Sequence, residues 1–173
     1  MDSKRKTEKI ADYGALTALA FLFAYLESLI PIPIGIPGIK IGLANIVVVT
    51  ALYHMKAGDA FAIAMLRIIL SGFTFGSVSS MIYSLAGGIL SFFGMLILKK
   101  TEKFSIMGVS LAGGVLHNVG QMAAAAIILE TIELLYYAPF LLIAGMITGV
   151  LIGFLVKSIS PAINVIKKYR DGL

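Results

Sequence analysis

Apolar runs of roughly membrane-spanning length follow one another almost from end to end of this chain, with only short polar breaks between them. A helix of about 20 predominantly apolar residues crosses a bilayer core of about 30 Å. The composition agrees, with 59% of the 173 residues hydrophobic and 13% charged and a mean hydropathy of +0.98. Soluble domains run at roughly 45–50% apolar and about 25% charged. A soluble globule this small leaves too much of its surface wet to hide the excess. The chain is therefore expected to be all-α, a polytopic integral membrane protein of about six transmembrane helices forming the single domain 1–173.

The runs place spans at about 13–30, 42–54, 60–73, 81–98, 106–129 and 138–156. Pro31, Pro33 and Pro37 end the first, since proline cannot continue a helix. The segment 31–41 then reads as an external loop. The second and third runs are short, so one hairpin entering the membrane only partway is the alternative to two full spans. A basic N-terminus followed by an apolar run resembles a signal peptide, but this run is longer than a typical h-region and more spans follow. It reads as a retained first helix. Beyond the sixth span, Ile159, Ile163 and Ile166 recur near the helical period, which suits either a helix lying on the inner leaflet or a solvated tail.

Charge fixes the expected topology. Six spans put the N-terminus, the loop at Lys56, the loop at Lys99 to Lys103 and the C-terminus on one side, and 12 of the 14 Lys and Arg lie there. By the positive-inside rule both termini are cytoplasmic, in a multi-pass protein of the cell membrane. These are juxtamembrane clusters rather than one basic face, so the net charge of +5 does not point to nucleic acid.

Polar residues inside spans are costly and mark pathways, sites or interhelical locks. Glu27 lies near the outer end of the first helix, Lys40 at the end of the Pro-rich loop and Asn45 at the start of the second helix. Arg67 sits within the third, Tyr83, Ser84 and Ser91 on the fourth, and His117, Asn118 and Gln121 on one side of the fifth. All but Ser91 are candidate substrate-binding residues converging on the outer half of the bundle. The competing readings are structural. Arg67 and Glu27 form a buried ion pair, the polar trio of the fifth helix is hydrogen-bond glue, and Ser91 bonds back to its own helix. Gly87, Gly88, Gly113 and Gly114 read as close helix packing, and Glu130 with Glu133 as a solvated edge.

Catalysis finds little support. Asp2, Asp12, Asp59 and Asp171 are isolated, with no pair at three- or four-residue spacing to hold Mg²⁺ against a diphosphate. There is no cysteine, which excludes thiolate metal sites and disulfides, and no Walker loop. No catalytic residue, metal or cofactor is expected.

Three segments carry a resemblance. Ile36-Pro-Gly-Ile-Lys-Ile-Gly-Leu-Ala-Asn45, Tyr83-Ser-Leu-Ala-Gly-Gly-Ile-Leu-Ser91 and Gly113-Gly-Val-Leu-His-Asn-Val-Gly-Gln121 together resemble the Gx transporter family. Its members are often labelled heptaprenyl diphosphate synthase component I, and they are similar to substrate-binding S components of energy-coupling factor (ECF) transporters. The resemblance covers nearly the whole chain. It implies a six-helix subunit that captures a small vitamin-like or cofactor-precursor molecule at the outer face, under a lid formed by 31–41. It also implies a transmembrane coupling protein and ATPase subunits as partners, docked through an Ala-x-x-x-Ala pattern on the first helix. Ala11 with Ala15, and Ala20 with Ala24, offer that spacing, and small residues at i and i+4 let a second helix approach. The rival implication is a non-catalytic membrane accessory of a prenyl diphosphate synthase, whose catalytic subunits carry Asp-rich motifs absent here.

Overall fold

Helix α1 runs from Ser3 to Ser28, beginning well before the apolar run that predicts it. No glycine or proline lies between Ser3 and Asp12 to stop it. Lys9 anchors this first part, its Nζ 3.1 Å from Asp59 on the third helix and 5.2 Å from the centre of the Tyr13 ring. The computed structural model describes residues 3–30 and 42–171. The expected lid 31–41, with Lys40, lies outside them.

Five further α-helices follow: α2 (Leu43–His54), α3 (Ala57–Thr74), α4 (Val78–Lys100), α5 (Ile106–Ile128) and α6 (Ala138–Asp171), the last entered through a 3-10 turn at Glu133–Tyr137. Serines start two of them. The Ser77 hydroxyl accepts from the Ser80 N–H at 3.1 Å, and that of Ser105 from the Gly108 N–H at 3.2 Å, satisfying amides that have no partner inside the helix.

Residues of α1, α3, α4, α5 and α6 form five helical stretches long and apolar enough to cross a membrane. Helix α2 is different. Its 12 residues reach only about 18 Å, short of a bilayer core, and the run from Val47 to Leu52 is buried. It is an inner helix enclosed by its neighbours, apolar all round because every face meets protein. The short second run is thus a shorter apolar helix, while α3 reaches spanning length.

Helix α6 does not stop near Val156 as the hydropathy predicts. It continues as one 34-residue helix through Pro161, about 51 Å long and longer than a bilayer core. Proline removes one hydrogen bond in a helix, and here Ser158 and Ser160 donate to the carbonyls of Phe154 and Val156 just before it. Ile163 and Ile166 border a cavity with Asp12 and Leu16 of α1 and His54 of α2.

The apolar core gathers Val48, Leu52, Ile63, Phe92, Val109 and Val156, among others, from α2 to α6. By chain direction this is the half of the bundle nearest the termini. Along α4, α5 and α6 the packing is set by glycine. A Cβ on Gly114 would collide with the Gly145 carbonyl, and one on Gly120 would lie 2.8 Å from the Ala86 carbonyl oxygen. Ser91 belongs to this seam. Its hydroxyl donates to the Gly113 carbonyl of α5 at 2.8 Å rather than to its own helix, because close approach of the backbones brings that carbonyl within reach.

Candidate functional site

Glu27 ends α1 buried, 9% exposed, and is met by the start of α2. The Gly42 N–H donates to its Oε1 at 2.5 Å. Gly42 holds φ at 78°, a left-handed conformation glycine adopts without a Cβ penalty. Three residues on, Asn45 turns its Oδ1 to accept from Arg67 Nη2 at 3.0 Å. The ion pair that the competing structural reading requires between Arg67 and Glu27 does not form. Each takes a neutral partner from α2 instead, and among the described residues the one ion pair is Lys9 with Asp59.

Helix α5 supplies the facing wall. Asn118 Nδ2 donates to the Leu141 carbonyl of α6 at 2.5 Å, so this residue does act as interhelical glue. Gln121 Nε2 reaches the Ser84 hydroxyl at 3.5 Å, the outer limit of such a bond. His117 lies one position from Asn118. Glu27, Asn45, Arg67, Ser84, His117, Asn118 and Gln121 all line one small cavity of about 50 Å³, which Gly42, Gly114 and Thr148 complete. All six helices contribute.

Two larger cavities, each about 400 Å³, adjoin it. One lies between α1, α3 and α4, with Glu27, Arg67, Ser71, Phe75 and Ser80 in its walls. The other lies between α4, α5 and α6, with Tyr83, Met122, Leu134, Tyr137 and Leu141. Ser84 borders all three. Tyr83 thus sits beside the polar cavity rather than in it.

Sequence reasoning missed Ser71, Thr148 and the apolar walls. Ser71 stands four residues after Arg67, hence on the same helix face, and that spacing was the signal available. The expected third span, 60–73, already held both residues, and α3 runs from Ala57 to Thr74. The docking alanines also divide. Ala20 is wholly buried in the core and Ala24 lines the α1–α3–α4 cavity. Ala20 therefore has no surface to give a partner; Ala11 and Ala15 remain exposed.

A cavity of about 700 Å³ at the opposite end is lined by Asp12, His54, Lys56 and Asp59. There Asp59 pairs with Lys9 and His54 Nε2 lies 3.1 Å from the Ser160 hydroxyl. Among the described residues no group of three or more His, Asp or Glu is placed to hold a metal ion.

The chain matches no curated protein and no solved structure. Residues 16–159 match the family described as heptaprenyl diphosphate synthase component I. That match covers most of the chain, so this multi-pass membrane protein belongs to the heptaprenyl diphosphate synthase component I family.

Proposed function

We propose that this protein is a non-catalytic, substrate-binding membrane subunit of an ECF-type transporter. It captures a small vitamin-like or cofactor-precursor molecule at the outer face of the cell membrane, and a coupling protein and ATPases on other chains power uptake. The observation that carries this reading is the convergence of Glu27, Asn45, Arg67, Ser84, His117, Asn118 and Gln121 on one cavity. Structural locks alone call for mutual pairing. Here Glu27 and Arg67 remain apart, with open space of small-molecule size beside them. The cavity lies at the end away from both termini. With the termini cytoplasmic, as the Lys and Arg distribution supports, it faces outward. Lys40 and the 31–41 lid belong to the same reading through sequence alone, and exposed Ala11 and Ala15 are the docking positions left for the coupling protein.

The test is mass spectrometry of the detergent-purified protein, for retained small molecules and for co-purifying chains. The expected result is a stoichiometric small molecule, absent from Arg67→Ala protein that remains folded, together with coupling and ATPase subunits. The family description favours a second reading, a non-catalytic membrane accessory of a prenyl diphosphate synthase. A soluble prenyltransferase in the pull-down, with no retained ligand, would establish that reading and remove the transporter one.

A further inference from the structure

The two larger cavities that meet at Ser84 differ in chemistry. In the α1–α3–α4 chamber, Arg67 Nε and the Ser71 hydroxyl are both buried, and among the described residues neither has a hydrogen-bond partner. The two side chains stand one helical turn apart on the same wall. A buried donor left unpaired is unfavourable, so the pair is a standing demand for an acceptor. Charge sets the second condition. Glu27 and Arg67 are the only Asp, Glu, Lys or Arg among the described walls of the three cavities, and their charges cancel. A bound carboxylate or phosphate would bring a second negative charge beside the buried Glu27 carboxylate, whereas an uncharged acceptor would not. Among the described residues the α4–α5–α6 chamber has no charged wall residue, and Met122, Ala125, Leu129, Leu134 and Leu141 make much of it apolar.

We propose that the ligand is an uncharged, two-part molecule. Its head is a hydrogen-bond acceptor of the amide or conjugated-carbonyl class, held by Arg67 and Ser71. Its apolar body fills the chamber of Leu129, Leu134 and Leu141, and Ser84 marks the crossing between them. This rests on the binding-subunit reading above and names the substrate class of that same site. Each chamber, at about 400 Å³, falls within the roughly 300–1,000 Å³ range of small-molecule sites.

The experiment uses the full chain in lipid nanodiscs and two probes with one body, phenylhexanoate and its primary amide. Binding is titrated by saturation-transfer NMR, with empty nanodiscs subtracted. The amide is expected to bind about tenfold more tightly than the carboxylate, which must be desolvated beside Glu27. Ser71→Ala should weaken the amide by about threefold, the loss of one neutral hydrogen bond. Leu134→Trp should abolish binding of both probes by filling the chamber, with thermal unfolding showing that each variant is folded. Equal or tighter carboxylate binding overturns the proposal, as does amide binding indifferent to both substitutions, or no binding of either probe. The two readings fail separately. Amide preference without co-purifying ATPases keeps this inference and removes the transporter. Carboxylate preference in protein that carries ATPases does the reverse.

Discussion

Near the termini, Leu52, Ile63, Phe92 and Val156 close on one another, each almost wholly buried. At the far end Glu27, Asn45, Arg67 and Gln121, from α1, α2, α3 and α5, line a shared cavity. Helix α2 shows both behaviours within 12 residues, its first turn offering Asn45 to Arg67 and its later turns buried. The difference teaches that close apolar packing and polar cavity walls are separated along the helix axes. Polar groups facing a cavity are held by few bonds of their own, so their positions depend on packing elsewhere. The apolar half and the glycine seam supply it, and the polar half keeps open space beside its side chains.

Four substitutions break or sharpen that contrast. Gly114→Leu strikes the α5–α6 seam on which both halves depend, and no rotamer avoids the Gly145 backbone. Overpacking costs about 3 kcal/mol or more where backbone must move, so size-exclusion chromatography should show loss of the monodisperse protein. Leu52→Ala empties a fully buried site in the apolar half and should destabilise by about 2–5 kcal/mol. Thermal unfolding in detergent reads this, while ligand retained per folded molecule should stay constant; a fall in retention would show that the halves are not separable. Arg67→Ala should abolish retention yet cost only about 1 kcal/mol, since the bond lost to Asn45 is one interhelical contact. If it unfolds the protein as Leu52→Ala does, Arg67 is a lock and the contrast collapses. Ser91→Ala removes a single bond to the Gly113 carbonyl and should lower stability by about 0.6 kcal/mol, with no effect on retention.

Much of this was legible in the residues and some was not, for definite reasons. Glu27, Arg67, Asn118 and Gln121 could be picked out because a polar side chain within an apolar run is costly without a role. Their partners could not. Arg67 donates to Asn45, while the Glu27 carboxylate accepts from the Gly42 N–H. Ser91 finds Gly113 because the α4–α5 approach is close enough. The helical period of Ile159, Ile163 and Ile166 allowed a helix past Pro161, but that it continues α6 without a break was not legible from hydropathy, which registers lipid contact.

By itself the sequence determined that the chain is all-α and crosses the membrane repeatedly, because run length and apolarity are local properties that the bilayer selects directly. It also determined which side chains lipid would not tolerate. Only the tertiary structure decided that α2 is an inner helix, that Ala20 is core, and that Ser71 joins Arg67 at a cavity. Those outcomes depend on how each helix is rotated and crossed against its neighbours. That is set by contacts between residues far apart in the chain, such as Gly114 with Gly145, and no local pattern encodes it.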